Sequence, residues 1–155
     1  MGFNVEIKMA TSAALPQTPL HELRRIVDPI VAVLAASATP RRAIAVSSFD
    51  PDVMTYFVAA ARTELQHLPR LSAWYLTQGE GEVLRSDARR RSVPAAVEFA
   101  LAAQLSGIVV HSGIAHARML EVEAALAAGL QVCVPRGSAS AATTASAHLL
   151  RRYPI

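Results

Sequence analysis

Phe3-Asn4-Val5-Glu6-Ile7-Lys8 alternates apolar and polar residues one by one, the period of a β-strand, whose successive side chains point to opposite faces. Glu6 and Lys8, two residues apart, therefore share a face. A strand that opens an alternating strand–helix chain is expected to be buried on both faces and nearly all apolar. A carboxylate and an ammonium side by side there are costly unless a metal, a ligand or each other compensates. On an exposed edge strand the same two residues would be an ion pair of little consequence. One fact of composition favours a pocket. The chain holds 15 Lys+Arg, and Lys8 is the only lysine among them. Lysine supplies a compact point charge where arginine would bring a planar fork.

Outward from this strand, Met9 to Thr18 reads as a loop. Thr18 is expected to cap a helix with Pro19 at its first position. Leu20, Leu23, Ile26, Val27, Ile30, Val31 and Leu34 form its apolar face, and Pro29 should kink or split it. Ala43 to Ser47 reads as a second strand, with Asp50 and Pro51 opening a second helix to about Gln66. Leu71 to Leu76 is a third strand. Thr77 to Ser92 is a polar loop of a length that is usually functional or disordered, and its Arg89-Arg90-Arg91 triplet reads as solvated. A helix from Pro94 to Leu105 should turn Val97, Leu101 and Leu105 inward. Gly107 to Val110, ending at His111, is a fourth strand. A helix from about Ala115 to Ala128 stops at Gly129, a natural C-terminal residue, and Leu130 to Val134 is a fifth strand. Ser138 to Ala147 is nearly pure Ser, Ala and Thr, a composition that does not build a packed core.

At 155 residues, 52% hydrophobic and 17% charged, this is one domain with a substantial core. The formal net charge of +3 comes from arginines scattered as pairs and one triplet. With 5% aromatics and no binding motif, nucleic acid is not the expected partner. A single cysteine, Cys133, excludes internal disulfides and fits a reducing compartment. No apolar run reaches membrane-spanning length. The expected setting is cytoplasmic.

Strict alternation of strands and helices argues for an α/β fold with a parallel sheet. Two architectures compete, an open doubly wound sheet and part of an eight-stranded barrel. No G-x-G-x-x-G or Walker sequence follows any strand, which weakens the nucleotide-binding version. In a barrel, sites gather at the C-terminal ends of strands. Lys8, Ser47-Ser48, Thr77-Gln78 and His111 occupy such ends.

Several blocks, in order, resemble the glycerophosphodiester phosphodiesterase family, in its eukaryotic glycerophosphocholine branch. Gly2-Phe3-Asn4-Val5-Glu6-Ile7-Lys8 resembles the family's G-F-N-[IV]-E-I-K strand, Ser47-Ser48-Phe49-Asp50 its S-S-F-D strand end, and Leu76-Thr77-Gln78-Gly79 its L-T-Q-G segment. The likeness runs over about residues 2–134. It implies a partial TIM barrel of the PLC-like phosphodiesterase type, with about five parallel strands alternating with helices. Residues 1–134 would be an incomplete phosphodiesterase domain and 135–155 a low-complexity tail. It implies a phosphoric diester hydrolase of lipid metabolism that converts glycerophosphodiesters such as glycerophosphocholine to glycerol-3-phosphate and an alcohol. It also implies a divalent metal, calcium or magnesium, with Glu6 as one ligand. Lys8, Ser48, Gln78 and His111 would bind substrate or phosphate, Lys8 by neutralising phosphate charge.

Neither catalytic histidine of the family can be placed on this chain, which is expected to be an inactive part of the domain. Two other readings stand beside this one: a half-barrel that pairs with another chain through its open strand edges, and a small open sheet binding an anion near Lys8. Phe49 and Trp74 are expected in the core.

Overall fold

The computed structural model describes residues 2–9, 17–77 and 87–134. Five strands form one sheet: β1 (Phe3–Glu6), β2 (Ile44–Ser48), β3 (Leu71–Thr77), β4 (Gly107–Val110) and β5 (Gln131–Cys133). All neighbours are parallel and the spatial order is β1-β2-β3-β4-β5. This order decides between the two architectures. A doubly wound sheet reverses its order part-way and so receives helices on both faces. Steps in a single direction, with crossovers of one hand, place every helix on the same face.

The core agrees. One apolar cluster joins Ile44, Val46, Ala73, Tyr75, Ile108, Val110 and Val132 to residues from all five helices. Through the register, Val46 pairs with Ala73, Tyr75 with Ile108, and Ile108 with Val132, so these strand residues share one face. The opposite face carries Asn4, Glu6, Ala45, Ser47, Trp74, Gly107 and Cys133. Trp74 and Cys133 are buried there, apart from the helix-side cluster. Five parallel strands in this order, backed by helices on one side, make a partial TIM barrel whose inner face is the second one.

The first helix, α1 (Leu20–Ser37), runs unbroken through Pro29. Pro29 lies exposed, so the hydrogen bond its ring removes is lost at the surface while Val27 and Val31 stay buried. Its N-cap residue is Pro19, which makes no side-chain cap; Thr18 is engaged elsewhere. The second helix, α2 (Pro51–Glu64), is capped by Asp50, whose side chain accepts from Asp52 N and Val53 N.

Ser92 caps α3 (Val93–Ala102). It starts earlier and ends earlier than the sequence pattern implies, because Gln104 takes a left-handed φ of 54° just beyond it. Val93, Ala96, Phe99 and Ala100 are buried, Leu105 is buried and Val97 packs on the core as expected, and Leu101, expected inward, is exposed. The expected single helix after β4 is two, α4 (Ser112–Ala117) and α5 (Met119–Ala127), broken at Arg118. Gly129, at φ +88°, ends α5 as expected. Gly107 is required for another reason. A β-carbon there would stand 2.1 Å from the carbonyl oxygen of Gln131 and 2.7 Å from the Trp74 ring. Among the described residues no helix is long and apolar enough to cross a membrane. The tail beyond residue 134 lies outside the described residues.

Candidate functional site

The strand ends meet at one rim, and two clusters of charge occupy it. The first belongs to β1. Lys8 Nζ stands 3.9 Å from Glu6 Oε1, with the lysine side chain 79% exposed and the glutamate 34%. The expectation of a strand buried on both faces is therefore corrected. Among the described residues β1 has one neighbour, β2, and Phe3, Asn4 and Glu6 are exposed. Water meets the cost of the two charges. Glu6 is the register partner of Ser47, and the Ser47 hydroxyl donates to Asn4 Oδ1 at 3.3 Å. Asn4, Glu6 and Ser47 thus form a polar strip on the inner face.

Ser48 is committed to the fold. Alternation turns it to the helix side, where it is buried. Its hydroxyl donates to the carbonyl of Ile7 at 2.7 Å and accepts from the backbone N–H of Asp50 at 3.0 Å. Of the serine pair, Ser47 shares a face with Glu6, and parity along the strand was the signal for it.

His111 sits at the end of β4, exposed, and its Nδ1 accepts from Gly113 N at 3.3 Å. That bond leaves the ring proton on Nε2, which is a donor. Three strand spacings separate β4 from β1, about 14 Å across the sheet. Lys8 and His111 share a rim without touching. Gln78 lies outside the described residues. Phe49, expected in the core, is 38% exposed, placed at the turn between Ser48 and the cap of α2.

The second cluster was missed by sequence reading. Arg90 is buried, and its Nη2 lies 3.3 Å from Asp50 Oδ2. Arg89 Nη2 bridges Asp52 at 2.8 Å and Asp87 at 2.7 Å. Thr18 completes the cluster: its hydroxyl donates to Asp50 Oδ2 at 2.6 Å and its backbone N–H to Asp52 Oδ2 at 2.8 Å. Three consecutive strand-to-helix connections are stitched together this way. The triplet is thus no solvated loop at Arg89 and Arg90. Burial opposes the charge on Arg89, but the hydrogen bonds it donates to Asp87 and Asp52 outweigh it, and the guanidinium holds its proton more firmly than a free one. Burial likewise opposes ionisation of Asp87, and the bonds from Arg89 overcome it, lowering the carboxyl below its ordinary value. Burial pushes the Tyr75 hydroxyl up, so it stays protonated and donates to the carbonyl of Arg89 at 3.4 Å.

With this geometry in view, the chain resembles a phosphodiesterase from Oleispira antarctica solved in complex with the product sn-glycerol-3-phosphate. The TM-score is 0.57 at 16% sequence identity. The likeness agrees with the partial TIM barrel described above. The match covers 90% of this chain and 44% of that one, so the chain spans less than half the length of that protein. No protein-family model and no curated protein matches it. At this identity the likeness concerns the barrel's architecture.

The described residues do not form a cation site by themselves. Calcium and magnesium take six or more oxygens, and several of these are usually carboxylates. Among the described residues no group of three or more His, Cys, Asp or Glu stands together as a metal-binding set. Near β1 the carboxylate is Glu6, and the aspartates of the second cluster are held by arginines.

Proposed function

We propose that this chain is part of a phosphoric diester hydrolase barrel acting on small glycerophosphodiesters, and that its β1 end supplies an anion-facing edge. The observation that carries the reading is the single-direction five-strand order, matched to the fold of a phosphodiesterase. Lys8 supports it with an exposed ammonium at a C-terminal strand end, where barrel sites gather. In this reading Lys8 neutralises phosphate charge and the His111 Nε2–H donates toward an anionic oxygen further along the rim. Ser48 acts indirectly, by holding the Ile7 carbonyl between Glu6 and Lys8. Glu6 would be one ligand of a calcium or magnesium ion whose other ligands lie beyond the described residues, and no step is drawn through that ion.

Proton transfer in such a hydrolysis needs a general acid and a general base. Among the described residues no pair of groups is placed for both, and in this reading the chain does not turn over substrate by itself. Calorimetric titration with sn-glycerol-3-phosphate tests the anion-facing edge. Binding should weaken roughly tenfold in Lys8→Ala, about 1.4 kcal/mol. Glycerophosphocholine with added calcium or magnesium should not be turned over above background. Binding that ignores Lys8→Ala would place the anion elsewhere and remove this reading.

A further inference from the structure

We propose that the end of the sheet where the strands begin docks this protein on a bilayer of anionic phospholipid, with Arg41, Arg42 and Arg70 taking up the headgroups. Charge is segregated between the two ends of the fold. The connections that enter β2, β3, β4 and β5 are residues 38–43, 65–70, 103–106 and 128–130. They hold Arg41, Arg42, His67 and Arg70 and not one Asp or Glu. The acids Glu6, Asp50, Asp52 and Asp87 belong to the opposite rim. A larger barrel would not cover this surface, because further strands adjoin β1 or β5 and leave the starts of β2 and β3 as they are.

The register packs the arginines together. Ile44 pairs with Leu71, and Ile44 N donates to Arg70 O at 3.1 Å, so the residues before β2 and β3 are neighbours. Arg70 Nη1 donates to Arg41 O at 3.1 Å, and the Arg42 guanidinium lies 4.6 Å from the centre of the Phe3 ring. Arg62, in the last turn of α2, donates to Gln104. Each of these partners is neutral. Among the described residues none of the four guanidiniums meets a carboxylate, and all four arginines are exposed. Glu64 at the same end offsets one charge. The C-terminal ends of α1 and α2 offset roughly half a charge each, so about two positive charges remain.

Arginine forks match phosphate oxygens two at a time. Three classes of partner carry such anions or acidic groups, and the surroundings separate them. A protein interface has an apolar centre, and none of the large exposed hydrophobics lies in these connections. Single-stranded nucleic acid needs aromatic platforms, and duplex needs a helix or ribbon that enters a groove. The four connections are short turns without an aromatic residue. A bilayer asks only for positive charge near its surface, on the order of a fivefold gain per basic residue. Docked this way, the rim that carries Lys8 and His111 faces water.

Co-sedimentation of the full 155-residue chain with vesicles tests this. Phosphatidylcholine vesicles with phosphatidylserine as about a third of the lipid should carry the chain down at low salt, and pure phosphatidylcholine should not. Sodium chloride at about 0.5 M should release it, because screening then acts within a few ångströms. Arg41→Ser and Arg42→Ser in one chain should weaken partitioning roughly twenty-fivefold. Arg24→Ser and Arg25→Ser remove the same net charge from exposed positions on α1 and should weaken it no more than about twofold. Circular dichroism checks that the variants remain folded. A wild-type chain that ignores the acidic vesicles, or two double variants that lose binding equally, would overturn the proposal. So would a single-stranded oligonucleotide held more tightly than the vesicles with the same arginine dependence. Partitioning involves neither substrate nor turnover, so it stands or falls separately from the phosphodiesterase reading.

Discussion

Two clusters of opposite charge sit on the same rim, and they do different work. At β1, Glu6 and Lys8 lie 3.9 Å apart with the ammonium in solvent. Around Asp50 and Arg90, five charged side chains and Thr18 are locked together, with Arg90 at 9% and Asp50 at 3% exposure. Residue type does not separate them, since each combines carboxylates with cations. Burial does. A charge withdrawn from water must be matched by close partners, so its position is dictated by the fold. A charge left in water contributes little to stability and stays available to a ligand or another chain. The clasp holds the rim, and the β1 pair is what the rim presents.

The difference predicts a graded series of stability effects. The largest is Arg90→Ala, which leaves Asp50 buried without its cation; chemical denaturation should show a loss of about 3–5 kcal/mol. Next comes Ser48→Ala, which strips a buried partner from the Ile7 carbonyl and the Asp50 N–H, for about 1–3 kcal/mol. Acid should act on the clasp through Asp87. Its folded-state value lies below the ordinary 3.8 of an aspartate, so its contribution is complete above that pH and is lost as pH falls through the lowered value. In Asp87→Asn the acid limb of a stability–pH profile should flatten in that window. The smallest effect is Lys8→Ala, a change of no more than about 1 kcal/mol. A large loss there, or a small one at Arg90, would erase the distinction between the clusters.

Much of the fold was legible because it rests on local signals. The alternation in β1, the turn residues Asp50-Pro51 and the stop at Gly129 each act within a few positions, and the strand-to-helix order follows from them. What escaped reading depends on partners distant in sequence. Arg89 and Arg90 look solvated until Asp50 and Asp52, nearly forty positions earlier, close on them. Thr18 looks like a helix cap until the same aspartates claim its hydroxyl and N–H. Leu101 was assigned inward with Val97 and Leu105, but the buried stripe of α3 runs through Val93, Ala96, Phe99 and Ala100 and leaves Leu101 outside it. In the candidate site, Lys8 stood out by its uniqueness, but its exposure did not, because it depends on β1 having one neighbour among the described residues, a property of the sheet's order. Ser47 and Ser48 could have been separated by parity with Glu6 once their register was known.

The claim that one cluster serves the fold while the other faces a ligand is tested most directly by residue-resolved NMR during titration with sn-glycerol-3-phosphate. The account predicts shift changes at Glu6, Lys8, Ser47 and His111, with Asp50, Asp52, Asp87, Arg89 and Arg90 unmoved. Perturbations centred on the arginine clasp, with Lys8 silent, would contradict it.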